Sequence, residues 1–343
     1  MKPIVVDAMG GDYAPAEAVA GVALFARENP DVPIVMTGNE AEVMPLIKQY
    51  FPGGLGQVSF QHASENVAND DEVKIARKKK DSSLAVGIRM VKEGEGSALV
   101  ALGNTAAVVG LTHLGWGLLP GVSRAGIAVT FPNGNGATLA IDMGANTMSK
   151  PEHLLDYGVM ASIYMEKVMG VKTPRVGLIN VGEEYDKGGE EMRKIYGLFE
   201  HAPFNFGGNA EGRDLVSGKF DVVVCDGFVG NVALKVAESV AEFVSRQLKN
   251  ALMKSLGRKI LAFFLRGAFS EAKKNMDYSE YGGMPLLGVN GICIIGHGRS
   301  RAVAFKNAVR CGYQAVKADL CAVITNGLAA MHKGEDKRPA VSA

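Results

Sequence analysis

Short apolar runs alternate with longer amphipathic stretches along most of this chain, and that alternation sets the fold class before any motif is considered. Apolar runs bounded by turn residues predict strands at Ile4–Asp7, Pro33–Thr37, Val58–Phe60, Ala98–Ala101, Gly126–Phe131, Thr138–Asp142, Arg175–Ile179, Val222–Cys225 and Ile292–Ile295. Several have almost no polar alternation, as expected of strands covered on both faces. Helical stretches are predicted between them, near 14–28, 83–93, 105–114, 151–169, 187–199 and 228–250. This succession implies an α/β fold: an open, mostly parallel, Rossmann-like α/β/α sheet. Residues 1–330 read as a single α/β unit, with a division into two lobes left open by the length. The helix after Lys150 has Ser149 in position to cap it, Pro151 in its first turn and Glu152 behind. Residues 301–328 read as a helical end segment broken near Gly312, and 333–343 as a charged, flexible tail.

One segment departs from the pattern. Residues 246–274 carry eight basic side chains and a single acid, Glu271, interleaved with Leu252, Leu256, Ile260, Phe263, Phe264 and Phe269. The spacing makes an apolar helical stripe with Lys254, Arg258 and Lys259 beside it, and Gly257 and Gly267 are expected to bend or end it. It reads as a projecting basic amphipathic helix. Its two open roles are packing on its own core or a twin subunit, and lying against an anionic membrane or an acidic protein.

Composition narrows the picture little. The 343 residues hold 37 Lys and Arg against 36 Asp and Glu, so overall charge points to no polyanionic partner, and no nucleic acid is expected. Cys225, Cys293, Cys311 and Cys321 are widely spaced without a CxxC pair, which suits core residues in a reducing compartment. Lys2 and Pro3 lead directly into a strand rather than a leader, and no apolar run reaches the roughly 18 residues of a spanning helix. The expected compartment is the cytoplasm, with membrane-surface contact open.

Candidate chemistry sits where predicted strands give way to helices, which is where open α/β sheets bind ligands. Asp7 opens the turn Asp7-Ala8-Met9-Gly10-Gly11, and Gly103-Asn104-Thr105 runs straight into a helix whose free N–H groups suit phosphate. Asp142 to Asn146, Asp226 to Asn231 and Ile295 to Ser300 repeat the theme, the last with His297 between glycines and Arg299 nearby. Lys80, Ser82 and Ser83 end a basic run just before another helix. There is no GxSxG elbow, HExxH or Walker A sequence, and the six histidines lack metal-ligand spacing.

Taken in order, DAMGGD (7–12), KKKDSS (78–83), GNT (103–105), DMGAN (142–146), KPEHLL (150–155), RVGLINVGEE (175–184), EGRDL (211–215), VVVCDGFVGNVALK (222–235), YGGMPLLGVNG (281–291) and IIGHGRS (294–300) resemble one family. It is the bacterial phosphate acyltransferases of phospholipid synthesis, and the match runs colinearly from Ile4 to about Gly327. The resemblance implies a fold like that of phosphotransacetylases and the isocitrate/isopropylmalate dehydrogenase group. It implies reversible transfer of a fatty acyl group from acyl carrier protein to inorganic phosphate. It also implies a homodimer, peripheral membrane association at the inner face of the cytoplasmic membrane, and a product passed to a membrane-bound glycerol-phosphate acyltransferase. No metal, nucleotide or covalent cofactor is implied. Two departures stand out: Ala106 follows GNT where relatives often have glycine, and Arg299-Ser300-Arg301 replaces the common Ser-Ser-Asn.

Within these motifs His297, Asn104, Asp226 and Asn231 are the candidate catalytic residues. Asp7, Gly10, Gly11, Lys80, Ser82, Ser83, Gly103, Thr105, Asp142, Asn146 and Arg299 are the candidate phosphate and substrate residues. A thioester needs no covalent enzyme intermediate to be attacked by phosphate, so the expectation is an anion held by Asn104, Thr105 and backbone N–H groups. Lys80 or Arg299 offsets its charge, and His297 donates to the oxyanion or the departing sulfur. The carboxylates orient donors and no cysteine attacks, Cys225 being the one to test. The alternatives are a phosphotransacetylase-like enzyme using acyl-CoA and a non-enzymatic scaffold at a membrane surface. A decarboxylating dehydrogenase of related fold would need metal-binding carboxylates and a nucleotide site, which the sequence does not display.

Overall fold

A computed structural model describes residues 1–54, 56–134, 136–269 and 282–335. The elements are β1 (Ile4–Asp7), α1 (Ala16–Glu28), β2 (Ile34–Gly38), α2 (Glu40–Tyr50), β3 (Val58–His62), α3 (Val73–Ala76), α4 (Ser83–Lys92), β4 (Ala98–Gly103), α5 (Thr105–Trp116), β5 (Gly126–Asn133) and β6 (Gly136–Ile141). They continue with α6 (Pro151–Lys167), β7 (Arg175–Ile179), α7 (Gly189–Glu200), β8 (Asn205–Ala210), α8 (Asp214–Ser217), β9 (Val222–Val224), α9 (Gly227–Leu252), α10 (Leu256–Phe264), β10 (Met284–Leu287), β11 (Cys293–His297), α11 (Ala302–Lys317) and α12 (Leu320–Glu335).

One sheet joins all eleven strands in the order β3-β2-β1-β4-β11-β10-β5-β6-β9-β7-β8. Alternate residues of its buried strands feed two separate cores. Ile4, Val6, Val100 and Ile294 face one layer, while Val5, Leu99, Ala101 and Ile295 face the other. This is why the strands lack polar alternation. Each such fully buried aliphatic side chain contributes about 1.5–3 kcal/mol relative to exposure.

Pairing is parallel except at β11–β10, β10–β5 and β5–β6, which are antiparallel. These three reversals turn the direction of β6, β9, β7 and β8 against that of β1, β4 and β11. The carboxyl ends of the two sets therefore do not lie beside one another. This governs where the candidate residues go.

The structure amends several local expectations. The final helical segment breaks at Ala318-Asp319, where Asp319 takes a φ of 48°, and not at Gly312. Gly312 instead faces Ile294, Val100 and Ala98, in ordinary van der Waals reach of any Cβ placed there. Lys150, not Ser149, occupies the N-cap of α6, and the His153 Nδ1 accepts its N–H at 3.1 Å. In the basic segment the break falls at Met253–Ser255, whereas Gly257 lies inside the first turn of α10 and Gly267 inside a helical stretch. Residues 270–274 of that segment, and 336–343 of the tail, lie outside the described residues.

Candidate functional site

Three glycine turns meet at one end of the sheet. Because β1, β4 and β11 are parallel neighbours, with His297 in register with Gly103, the turns that follow them emerge together. A Cβ on Gly10 would lie 2.5 Å from the Leu102 carbonyl oxygen, and one on Gly103 would lie 2.9 Å from the Gly11 nitrogen. Gly11 itself has a φ of 101°. Only glycine permits backbones this close in these conformations. The Asp12 N–H donates to the Gly298 carbonyl at 2.7 Å and ties the first turn to the third.

The amino end of α5 opens onto this cradle. The Asn104 Oδ1 accepts from the Ala107 N–H at 2.9 Å, and the Asn104 carbonyl accepts from the Val108 N–H at 3.0 Å. That leaves the Thr105 and Ala106 N–H groups without partners among the described residues, beside a half-buried Thr105 hydroxyl. The Asn104 amide is not aimed at a ligand. Its Nδ2 donates to the carbonyls of Ala68 and Asp71, at 3.0 and 2.7 Å. Asp71 in turn accepts the Ala68 N–H and pairs with Lys79 at 2.5 Å. That Lys79 hydrogen bond, helped by the Ala68 N–H, holds the Asp71 carboxyl below its ordinary value. Asn104 thus straps the 68–71 loop to the helix. Asn104→Ala should cost about 1–2 kcal/mol in urea unfolding, from the lost cap and the orphaned loop carbonyls. It should also make the loop a site of limited proteolysis.

His297 is half-buried, and its Nδ1 accepts the Arg299 N–H at 3.3 Å. A ring nitrogen that accepts is unprotonated, so the neutral imidazole carries its hydrogen on Nε2, which has no partner among the described residues. Asp7 lies beneath the first turn, 5% exposed. Burial raises its carboxyl above the ordinary value. The Ser83 hydroxyl, which faces it without a well-aligned hydrogen bond, and the Met9 and Gly10 N–H groups oppose that rise. With the folded value raised, Asp7 favours the fold below the unfolded-state value and loses that contribution as pH rises through the folded one. Asp7→Asn is therefore expected to stabilise at neutral pH and to flatten this limb of the curve when urea unfolding is followed from about pH 4 to 8. Ser82 caps α4 through the Ala85 N–H. Lys80 is exposed without an ion pair among the described residues, and Arg299 pairs with Glu242 of α9 at 3.3 Å. Arg301 stacks 3.4 Å from the Tyr13 ring centroid and pairs with Glu17.

Asp142, Asn146, Asp226 and Asn231 gather elsewhere. Asp142 Oδ1 accepts the N–H groups of Ile127, Gly144 and Ala145, and Oδ2 accepts the Asn146 N–H and side-chain amide. Asp226 caps α9 through the Phe228 and Val229 N–H groups, while the Gly227 N–H goes to the Asn146 carbonyl. Asn231 lies against Gly144. Donors at this helix end are already used. From Gly227 the helix climbs about 22 Å before Glu242 meets Arg299, so the two clusters are joined by α9 rather than shared in one pocket. Burial, reinforced by Asp142 and Asp226, pushes the Cys225 thiol well above its usual value, opposite to what a nucleophile needs. No group of three His, Cys, Asp or Glu among the described residues is arranged to hold a metal ion.

A family model described as fatty acid synthesis protein matches residues 2–323. Phosphate acyltransferase of Heliobacterium modesticaldum is 45% identical over 326 residues, which is 94% of this chain and 96% of the relative. The chain belongs to the phosphate acyltransferase family. Another phosphate acyltransferase, from Aquifex aeolicus, is 42% identical over 310 residues, 90% of this chain and 92% of its own. Among solved structures, the EutD phosphotransacetylase from Staphylococcus aureus superposes with a TM-score of 0.59 at 14% identity, covering 92% of this chain and 94% of that one. A branched-chain phosphotransacylase from Enterococcus faecalis gives 0.54 at 14% identity, over 91% and 99%. These neighbours share the α/β fold. As a phosphate acyltransferase the chain is an enzyme of acyl transfer, and its open donors are those around α5 and His297.

The reading from sequence named Asp7, Gly10, Gly11, Gly103, Thr105 and His297, and these do converge. It missed Asn69, whose amide enters the same cradle from a loop with no periodic signal. It also left Asp12 without a role, although the residue closes the DAMGGD motif.

Proposed function

We propose that the enzyme transfers a fatty acyl group reversibly from acyl carrier protein to inorganic phosphate, giving acyl phosphate for phospholipid synthesis. The observation that carries this reading is the set of unused donors at one place: the Thr105 and Ala106 N–H groups, the Thr105 hydroxyl and the His297 Nε2–H beside a glycine floor. A phosphate oxygen attacks the thioester carbonyl, forming the P–O–C bond, and the tetrahedral oxyanion collapses to break the C–S bond. His297 Nε2–H stabilises the oxyanion by donating a hydrogen bond, the proton of the attacking hydrogen phosphate passes to the departing sulfur, and the products are acyl phosphate and carrier thiol. Exposed Lys80 supplies charge at the rim, with Arg299 the alternative once it leaves Glu242.

Two faces support the partners in this reading. Val232, Val236, Val240, Phe243, Val244 and Leu248 line α9 at helical spacing, each 45% exposed or more, and suit a second copy of the chain. Arg258 and Lys259 on α10, and Lys254 in the break before it, stand exposed beside Phe263, 59% exposed, and Phe264, 77% exposed. That pairing of cations with bare rings suits an anionic bilayer surface on the cytoplasmic side. From there the product passes to a membrane-bound glycerol-phosphate acyltransferase. No helix among the described residues is long and apolar enough to cross a membrane.

Long-chain acyl carrier protein with phosphate should release carrier thiol and acyl phosphate stoichiometrically. Faster turnover of acyl-CoA would favour the phosphotransacetylase-like alternative, and no phosphate-dependent release at all would favour a scaffold. Replacing Lys254, Arg258 and Lys259 by glutamine should reduce sedimentation with anionic liposomes at least tenfold and leave soluble turnover within twofold. Equal losses in both assays would place the carrier, not lipid, on this segment.

A further inference from the structure

Between the glycine turns lies a pair of side chains that the mechanism above does not use. Asn69 reaches in from the loop strapped down by Asn104, and its Nδ2 donates to the Asp12 Oδ1. A Cβ on Gly103 would sit 3.2 Å from the Asn69 Oδ1, and one on Gly298 would sit 3.4 Å from both the Asn69 Nδ2 and the Asp12 Oδ1. The amide therefore rests on two of the three glycine turns, tightly at Gly103 and in ordinary van der Waals contact at Gly298. Both residues are exposed.

The chemistry of the pair fixes which way the amide faces. A carboxylate only accepts, so Asp12 forces the NH2 end of Asn69 toward itself and the oxygen toward Gly103. An NH2 group has two hydrogens. One goes to Asp12, and the other has no acceptor among the described residues. Asp12 is itself anchored, its N–H held by the Gly298 carbonyl at 2.7 Å.

Resting on the proposed reading of this site, we infer that Asn69 is a phosphate-binding residue and Asp12 its positioning residue. The second Nδ2 hydrogen of Asn69 donates to the incoming phosphate. Asp12 spends its negative charge on the amide, so it orients a donor for the anion and repels the anion less than a bare carboxylate would. The loop 68–71, pinned at Asn104 and Lys79, carries this donor across the cradle from the Thr105 and Ala106 N–H groups.

Steady-state kinetics with phosphate and acyl donor varied separately test the inference, together with calorimetric binding of inorganic phosphate alone. Asn69→Ala should raise the phosphate KM about tenfold and leave the donor KM within twofold. Asn69→Asp, which keeps the shape but sets a second carboxylate against Asp12, should abolish phosphate binding. Asp12→Ala should raise the phosphate KM several-fold, and Asp12→Asn should restore it, because its amide oxygen still accepts. Combining Asp12→Ala with Asn69→Ala should add nothing to Asn69→Ala alone. If Asn69→Ala leaves phosphate binding and KM within twofold in a parent that does turn over phosphate, or if both KM values rise together, the pair is overturned and the wider reading stands. A parent with no phosphate dependence overturns the reading and the pair with it.

Discussion

Asp142→Ala is expected to lower the stability of the fold by about 3–5 kcal/mol, read as a shift of the urea midpoint at unchanged slope. The side chain is 0% exposed and collects donors from Ile127, Gly144, Ala145 and Asn146 on both oxygens. Removing it leaves the buried Ile127 N–H and the part-buried donors of the 144–146 turn without acceptors, and the tight packing of Gly227 and Gly230 against the same turn limits relaxation. Asp142→Asn should lose nearly as much, since an NH2 group would be aimed at groups that themselves donate. A loss below about 1 kcal/mol would mean that water takes over these bonds and that the knot does not hold β5, β6 and α9 together.

The second large effect concerns turnover. His297→Ala should reduce kcat about 10²–10³-fold at saturating phosphate with the urea midpoint unchanged within error, because a half-buried imidazole at a strand end packs little. His297→Gln, whose amide N–H can approach the place of Nε2–H, should recover part of the oxyanion stabilisation. A loss smaller than threefold in His297→Ala would move the donor role to Thr105 or the α5 N–H groups.

Much of the fold was legible because the signal was local. Ile4–Asp7 and Arg175–Ile179 form strands with the bounds read from their apolar runs. The longer elements that escaped, β8, β10 and α2, each carry a residue that argues against them, while α3 and α8 are single turns of four residues too short to show a period. β10 contains Pro285, which reads as demoting a strand, and α2 holds Pro45 in its interior. β8 contains Gly207 and Gly208, and a register shift separates its two halves of pairing. The larger gap was direction. Nothing in the run Met284–Leu287 says that it pairs antiparallel on both sides, two reversals that cancel, and it is the β5–β6 hairpin beyond them that turns Asp142 and Asp226 away from Asn104 and His297. The strand-end clusters were visible one by one, but whether they shared a pocket depended on long-range pairing. Asn69 was invisible for a related reason: its meaning comes from contacts with residues 12, 103 and 298, not from its neighbours in sequence.

The middle of the sheet is built from residues synthesised long after the strands that flank them. β10 and β11, residues 284–297, are inserted between β4 and β5, which themselves end by residue 133. Until that late hairpin emerges from the ribosome, β4 and β5 each present a bare apolar edge, and the two halves of the nascent chain have no sheet contact with each other. Joining of the two halves is thus bound to wait for residue 297, and a product that stops short of residue 284 exposes two sticky edges rather than a smaller working protein.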